Sequence, residues 1–173
     1  MKQTLLIITV LMLFAGFTSG QEPIDGSTLV EKDSLMYAPD SDKPYSGEVV
    51  SYYSNGQKEY EGTYKDGKED GLETWWYENG QKKSEGTYKD GDLRKETWWN
   101  ENGQKKDEGT YKDGELDGLS TGWYENGQKK EEETYKDGEL DGLSTWWYAN
   151  GKKKSEGTYK DGKLDGLWTY WDE

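Results

Sequence analysis

Histidine and cysteine are both absent from this chain of 173 residues. Their absence removes the commonest general base, thiolate nucleophiles, disulfides and the usual zinc sites. The stretch "DGELDG" at residues 113–118 imitates the start of a calcium-binding EF-hand loop, but Tyr124 stands where that loop needs its bidentate glutamate. Carboxylates are so abundant that no pair stands out as a glycosidase couple. We therefore expect no enzymatic activity, no cofactor and no metal.

Basic residues are also scarce, with 22 lysines and arginines against 36 acidic residues and a formal net charge of −14. Affinity for a polyanion comes largely from lysine and arginine displacing counterions, so nucleic acid is not expected as a partner. High charge and low hydrophobicity often mark disordered chains, but nine tryptophans and fourteen tyrosines supply the rings that such chains lack. The composition favours a folded, acidic protein.

One apolar run, Leu5 to Phe17, lies at the N-terminus between Lys2 and the small residues Thr18-Ser19-Gly20. These are the three parts of a secretory signal peptide, and the run is too short to span a bilayer comfortably. We expect residues 1–20 to be a signal peptide that is cleaved near Gly20, with an uncleaved anchor as the alternative. A mature protein without disulfides would then be secreted or periplasmic, in a bacterial envelope.

Residues 21–43 contain two of the three prolines and several Asp and Ser residues, which predicts a linker or an irregular N-terminal cap. A repeat of about 24 residues follows over residues 44–173. Asn-Gly begins at residues 55, 79, 102, 126 and 150, and Lys-Asp-Gly at residues 65, 89, 112, 136 and 160. One residue is lost between Asp92 and Trp98, and because a turn glycine disappears we expect the loss to fall in a loop.

Each unit predicts a strand, a tight turn, a second strand and a looser turn. "LETWWY" at residues 72–77 is rich in residues that favour strands, Asn-Gly is a strong hairpin signal, and "KDG" turns the chain again. No helical period appears after residue 43. We therefore predict an all-β fold, an elongated antiparallel meander of five to six β-hairpin repeats with no catalytic domain.

The units "YKDGKEDGLETWWYENGQKKSEG" and "YKDGKLDGLWTYW" resemble the variant MORN repeat, the membrane occupation and recognition nexus family. The resemblance covers residues 44–173 and implies an array of β-hairpins without specifying an activity. Some bacterial chains of this type are antitoxins or immunity proteins, so the resemblance also implies toxin binding as one role. A cytoplasmic antitoxin would not need the export signal predicted here.

Comparison of the copies separates constant ring positions from variable ones. An aromatic ring is always present at the position of Trp76, whereas the preceding position varies, with Ser51, Trp75 and Gly122 among its members. A tyrosine recurs near the end of each return strand. We assign the constant rings to the structural core, and they are Trp76, Trp99, Trp123, Trp147, Trp171, Tyr64, Tyr88, Tyr111, Tyr135 and Tyr159.

Turn geometry decides which rings share a face. A two-residue loop at Asn79-Gly80 would place Trp76 and Tyr88 on opposite faces, whereas a three-residue loop with Gly80 in a G1 bulge pairs Tyr77 with Gln81. We predict the three-residue loop because it puts the constant positions Leu72, Trp76, Gly86 and Tyr88 on one face.

The opposite face then carries a variable aromatic stripe with lysines nearby. Its rings are the predicted partner-binding candidates Trp75, Tyr77, Trp98, Tyr124, Trp146, Tyr148 and Tyr170. Three interpretations stay open: the rings stiffen a thin sheet by cross-strand packing, form a docking surface, or support edge association.

The leading functional hypothesis is an exported, non-enzymatic scaffold that binds another protein through the aromatic face or the open terminal strand holding Trp171, by which it could also self-associate. The alternative is a carbohydrate or cell-wall binding module, because tryptophan-rich hairpins also resemble cell-wall-binding repeats whose rings stack on sugars. Association with a membrane surface ranks third, since acidic residues of the same hairpins offset the lysines. Membrane contact is therefore not expected.

Overall fold

The structure is a computed structural model that describes residues 22–173. The predicted signal peptide at residues 1–20 lies outside the described residues. The described chain is nearly all β and forms one 14-stranded sheet and one two-stranded hairpin, which confirms the predicted antiparallel meander.

Sixteen strands and one short 3₁₀ helix make up the described chain. The strands are β1 (Ile24–Asp25), β2 (Val30–Lys32), β3 (Leu35–Tyr37), β4 (Gly47–Tyr52), β5 (Lys58–Lys65), β6 (Lys68–Glu69), β7 (Gly71–Trp76), β8 (Lys82–Lys89), β9 (Asp92–Trp99), β10 (Lys105–Lys112), β11 (Glu115–Trp123), β12 (Lys129–Lys136), β13 (Glu139–Trp147), β14 (Lys153–Lys160), β15 (Lys163–Leu164) and β16 (Thr169–Tyr170). The 3₁₀ helix is Gly26–Thr28. Neighbours in the large sheet are antiparallel except at its first edge, where β1 runs parallel to β4.

Two turn types alternate along the array. The Asp-Gly turns have positive φ at both residues, as at Asp90 (54°) and Gly91 (89°), which is the type I′ geometry that suits the twist of a hairpin. At the Asn-Gly turns the glycine alone has positive φ, 82° at Gly80. Tyr77 N donates to Gln81 O at 2.9 Å, and Gly80 N donates to Tyr77 O at 2.9 Å. The predicted three-residue loop with a G1 bulge is confirmed.

A second bulge, which the sequence analysis did not predict, follows each Asn-Gly turn. Trp76 pairs with Lys82, but Trp75 pairs with Ser84, so Lys83 is an extra residue on the return strand. Because side chains alternate between faces along a strand, this one residue reverses the faces of everything beyond it. The prediction that Leu72, Trp76, Gly86 and Tyr88 share one face is therefore wrong. Gly86 and Tyr88 lie on the opposite face from Leu72 and Trp76.

The residue missing from the third repeat also lies elsewhere than predicted. Strand β9 runs unbroken over Asp92–Trp99, whereas the equivalent stretch of the preceding repeat is interrupted between β6 and β7 at Asp70. Arg94 is the single extra residue where Thr87 pairs with Lys95 and Tyr88 with Leu93. The deletion thus shortens a bulge inside a strand instead of a loop.

The hydrophobic core lies at the N-terminal end of the sheet. Tyr45, Val49 and Tyr60 are the buried hydrophobic residues of the described chain, and Ile24, Leu29, Ala38 and Tyr64 pack against them. The segment before the array therefore contributes strands β1 to β3 and apolar side chains to this end. Further along, the interior positions of the sheet hold small polar side chains such as Thr97 and Ser144, both buried.

Side chains at the Asn-Gly turns tie each repeat to the next. Asn79 Oδ1 accepts from Gln81 N within the turn, while Asn79 Nδ2 donates to Glu101 O of the following repeat at 3.0 Å. The Tyr77 hydroxyl donates to Trp99 O at 2.8 Å. Equivalent tyrosine bonds recur at Tyr53, Tyr124 and Tyr148. Each hairpin is thereby fastened to its neighbour.

The last strand is paired on one side only. β16 pairs with β14, and Trp171 N donates to Lys154 O at 3.0 Å, so the terminal strand is an edge strand and Trp171 is not in an unpaired segment as predicted. Leu167 and Tyr170 are exposed by 88% and 75%.

Within residues 22–173, no helix has the length and apolar character needed to cross a membrane.

Candidate functional site

The register divides the array into two faces of different character. We call the first the ladder face; it carries the tryptophans Trp76, Trp99, Trp123, Trp147 and Trp171, the lysines Lys58, Lys82, Lys105, Lys129 and Lys153, and the glutamates Glu61, Glu85, Glu108, Glu132 and Glu156. We call the second the variable face; it carries Glu73, Glu96, Ser120, Ser144 and Trp168 in one row, Trp75, Trp98, Gly122, Trp146 and Tyr170 in another, and Tyr64, Tyr88, Tyr111, Tyr135 and Tyr159 in a third.

The ladder face repeats one arrangement five times. Each lysine lies over the tryptophan ring of the next strand pair, with Nζ 5.3–5.8 Å from the ring centroid. The same lysine forms a salt bridge with the glutamate three residues later, for example Lys105 to Glu108 at 2.8 Å. Ring, cation and carboxylate are thus matched to one another within the chain, which leaves little uncompensated charge on this face.

The variable face has carboxylates without matching cations. Glu69, Glu73, Glu96 and Glu133 form no salt bridge within residues 22–173. They lie beside the aromatic rings of the same face, as in the cavity that Glu73 and Glu96 line together with Trp75, Trp98 and Lys83, a lysine that is unpaired in the same range. Negative charge and apolar surface therefore occur together here.

Glu73 is the most deeply buried of these carboxylates. It is 9% exposed, and its Oε1 accepts from Trp75 Nε1 at 2.6 Å, while its Oε2 accepts no hydrogen bond. Burial, assisted by the neighbouring carboxylates of Glu69 and Glu96, raises the pKa of Glu73 to about 7 against the lowering effect of the hydrogen bond from the Trp75 indole. The Tyr60 hydroxyl is also buried without a partner, and its ring centroid lies 4.6 Å from that of Trp75.

Glu133 occupies a position where the other repeats have glycine. Its Oε1 accepts from Ser144 Oγ at 2.9 Å and from Trp146 Nε1 at 3.2 Å, and its Oε2 accepts from the Tyr135 hydroxyl at 2.8 Å. The repeats with glycine leave room for a larger neighbour instead. At Gly157 the indole of Trp168 lies so close that an added Cβ would meet it at 2.2 Å.

Gly122 stands where the neighbouring repeats have Trp98 and Trp146, so the row of indoles is interrupted there. Glu131 fills the space of the missing indole, because a Cβ on Gly122 would lie 3.0 Å from Glu131 Oε1. Lys130 Nζ lies 3.3 Å from Glu131 Oε2 and 5.6 Å from the Trp146 ring centroid. This part of the variable face therefore carries its own cation.

The predicted partner-binding residues separate into two groups. Trp75, Trp98, Trp146 and Tyr170 lie on the variable face, where Trp75 is 37% and Tyr170 75% exposed. Tyr77, Tyr124 and Tyr148 lie at the hairpin ends, and their hydroxyl groups bind the backbone of the next repeat. These three tyrosines hold the repeats together.

The predicted core rings are also divided. The Trp76 row lies on the ladder face and the Tyr88 row on the variable face, opposite to the prediction that they share one. Most members of both rows are half-buried, and Trp171 is 40% exposed, so neither row forms a closed core. Both rows nevertheless pack along the whole array.

Sequence reasoning missed the acidic part of the variable face. The predicted site did not include Glu73, Glu96 or Glu133, although the copies carry the signal: the position of Glu73 changes to Ser120, Ser144 and Trp168 while the residue after it is always threonine. A position that varies between otherwise identical repeats is not needed by the repeat itself.

The family model described as MORN repeat variant matches five segments of the chain, residues 45–66, 69–90, 95–113, 116–137 and 140–161. Together these segments cover more than half of the chain. MORN repeats are modules of protein and membrane interaction, and the family is a non-catalytic repeat scaffold. No curated protein matched the chain.

Proposed function

Because this chain belongs to the MORN repeat variant family, we propose that it is a non-enzymatic scaffold that binds a partner protein through the variable face. The partner contributes a basic, partly apolar segment. Exposed tryptophan and tyrosine supply large contact area at low entropic cost, and such rings dominate interface hot spots. The unmatched carboxylates of this face select the charge of the segment.

One observation carries this proposal: the two faces differ in charge compensation. Each ladder-face lysine is held by a glutamate and a ring, whereas Glu69, Glu73 and Glu96 on the variable face have no cation. The net charge of −14 steers basic partners toward the chain. The unmatched carboxylates then direct the partner to the variable face.

The test is capture of a partner from an envelope extract, with matched variants on the two faces. Glu96→Gln and Glu85→Gln each remove one carboxylate, the first from the variable face and the second from the ladder face. We expect Glu96→Gln to weaken capture several-fold, increasingly so at low salt, and Glu85→Gln to leave it unchanged. Equal behaviour of both variants and the wild type would overturn the choice of face.

The terminal edge strand supports a second mode of association. β16 has one unpaired edge, and Leu167 beside it is 88% exposed, so another strand can extend the sheet there. We expect a concentration-dependent dimer in analytical ultracentrifugation, reduced by Tyr170→Pro, because the N–H of Tyr170 points away from β14 toward the free edge. A monomer at all concentrations would remove self-association from the proposal.

We also propose that the protein is exported and acts in the bacterial envelope, where it has an immunity-type role against a toxin. The support is the N-terminal sequence, with Lys2, the apolar run from Leu5 to Phe17 and the small residues before Gln21. N-terminal sequencing of protein recovered from cell fractions tests cleavage near Gly20. Recovery of uncleaved protein from the cytoplasm would contradict export, and a captured partner without toxic activity would contradict the immunity role.

The aromatic rows leave carbohydrate binding as a competing outcome. Trp75 and Tyr60 are tilted by 52° to one another, and Gly122 interrupts the row of rings. A sugar chain needs a series of accessible ring faces, so the geometry favours a protein segment instead. Tryptophan fluorescence titrated with peptidoglycan fragments separates the two, and a saturable change would favour the glycan.

A further inference from the structure

We propose that the buried carboxylate of Glu73 receives the side-chain ammonium of a lysine, or the guanidinium of an arginine, from the partner protein. The inference rests on the proposed function and deepens it, because it assigns one anchor residue to the partner's basic segment. The site lies where the N-terminal core meets the first complete repeat.

The site is a pair of cavities that share two residues. The first cavity, of about 220 Å³, is lined by Met36, Tyr60, Tyr64 and Glu69 among others, and the second, of about 270 Å³, by Lys83, Tyr88, Glu96 and Trp98 among others. Glu73 and Trp75 line both. A cationic side-chain head with its last methylenes fits either volume.

The free oxygen of Glu73 is the strongest indication of a missing ligand. Glu73 is more than nine-tenths buried, and its Oε2 has no hydrogen-bond donor, although buried carboxylate oxygens are nearly always paired. Glu69 lines the same cavity as Glu73, and neither carboxylate forms a salt bridge within residues 22–173. Lys83 lines the second cavity but takes part in no salt bridge within residues 22–173.

The molecule builds the complete version of this site elsewhere. On the ladder face, Lys105 lies over Trp123 and pairs with Glu108. On the variable face itself, Lys130 lies over Trp146, and its Nζ forms an ion pair with Glu131 Oε2 at 3.3 Å without hydrogen-bond geometry. The Glu73 site has the carboxylate and the ring of Trp75, but Lys83, which lines it, forms no ion pair with Glu73, and a partner side chain would complete the arrangement.

The hydrogen bonds that the site needs from its ligand distinguish lysine and arginine from a quaternary ammonium. The Glu73 Oε2 and the Tyr60 hydroxyl are both without partners, so the ligand must bring N–H groups. A quaternary ammonium is attracted to aromatic faces but carries no N–H, so it would leave both oxygens unsatisfied. We therefore assign the site to lysine or arginine.

The experiment titrates peptides into the full mature protein at pH 8, above the pKa of about 7 to which burial raises Glu73. The probes are acetylated, amidated pentapeptides Gly-Gly-X-Gly-Gly in which X is lysine, arginine, trimethyllysine or norleucine. Binding is followed by tryptophan fluorescence and by chemical shifts of the indole N–H of Trp75. We expect saturable binding of the lysine or the arginine peptide, at least tenfold tighter than that of the norleucine peptide, and the stronger of the two identifies the anchor.

Two variants test the assignment. Glu73→Gln keeps the side-chain shape, and we expect it to weaken lysine or arginine binding at least fivefold. Glu85→Gln on the ladder face is the matched control and should bind like the wild type. Trp75→Phe keeps a ring while it removes the indole N–H that holds Glu73, and we expect an intermediate loss. Thermal melts check that each variant folds.

Several outcomes would overturn the inference. Equal binding of the norleucine peptide would mean that the pocket recognises apolar surface only, and equal binding of the trimethyllysine peptide would mean that it recognises positive charge without N–H donors. Unchanged binding in Glu73→Gln would remove the carboxylate from the site. If partner capture depends on Glu96 but not on Glu73, the inference fails while the proposed function stands. If the lysine peptide binds at Glu73 but capture ignores the variable face, the proposed function fails and the pocket remains.

Discussion

The ladder face and the variable face belong to the same strands, yet they follow different rules. On the ladder face the tryptophan at the position of Trp99 is present in every complete repeat, and a lysine and a glutamate always accompany it. On the variable face the neighbouring position holds Trp98 in one repeat and Gly122 in the next, with compensating changes at Glu131 and Glu133. The periodic side fastens the array together, and the other side is free to differ from repeat to repeat.

The largest expected difference comes from the adjacent residues Trp99 and Trp98. We expect Trp99→Ala to cost about 3 kcal/mol in the free energy of unfolding, since it removes a half-buried indole and the ring under Lys82. Trp98→Ala should cost about 1.5 kcal/mol, because its in-register neighbours are the short side chains of Ser84 and Asp107. Urea unfolding followed by circular dichroism measures both. Equal losses would mean that the two faces support the fold alike.

Glu73 gives the second largest effect, through pH. Its folded-state pKa of about 7 lies above the ordinary value of 4.5, so the folded protein binds this proton more tightly than the unfolded chain. The stability that this group contributes is complete below about pH 4.5 and is lost as the pH rises through 7. We expect a loss of about 2 kcal/mol over that range in the wild type relative to Glu73→Gln.

Because the wild type and Glu73→Gln differ in this one carboxyl group, the difference between their stabilities removes the contributions of the other titrating groups. Urea midpoints measured at pH 4.5 and at pH 8 give the difference. Parallel pH profiles would show that the Glu73 carboxyl is better solvated than its burial indicates.

Tyr124→Phe measures how much the contacts at the hairpin ends stabilise the array, independently of the ladder face and the variable face. The change deletes only the hydroxyl that donates to Trp147 O at 2.7 Å, and we expect a loss of about 1 kcal/mol in the free energy of unfolding. Tyr170→Phe is the matched control, since its ring is 75% exposed, and it should cost nothing measurable. A neutral Tyr124→Phe would show that water replaces the contact between repeats.

The smallest effect is expected at Lys82. Lys82→Met keeps the aliphatic stem but loses the charge over the Trp99 ring and the salt bridge with Glu85, and we expect a loss of about 0.5 kcal/mol at low salt. Added salt should shrink this loss. Lys83→Met at the neighbouring bulge position is the control and should be neutral. A larger loss at Lys83 would contradict the distinction between the two lysines.

Residue chemistry predicted the turns well because turns have strict local requirements. Gly80 needs a positive φ in the three-residue loop, and the Asp90-Gly91 pair needs it at both residues, so these types reveal the hairpins and their lengths. The repeat period, the strands and the all-β fold follow from the same local signals.

The bulge at Lys83 was not predictable in this way, because it is defined by which backbone groups pair across the strands and accepts almost any side chain. The faces were therefore assigned in reverse beyond that residue, and the Trp76 and Tyr88 rows were placed together. The candidate site suffered from the same error. Trp75 and Trp98 were predicted to be available rings, but their association with Glu73, Glu96 and the tyrosine row depends on the bulge.

The pairing of every ladder-face lysine with a glutamate has a consequence for how the molecule approaches a partner. The carboxylates of Glu69, Glu73 and Glu96 have no such partners, so the variable face is the more negative of the two. In the field of a basic partner this difference produces a torque as well as an attraction, and it favours approach with the variable face leading. Orientation is then established during diffusion, before any ring or carboxylate touches the partner.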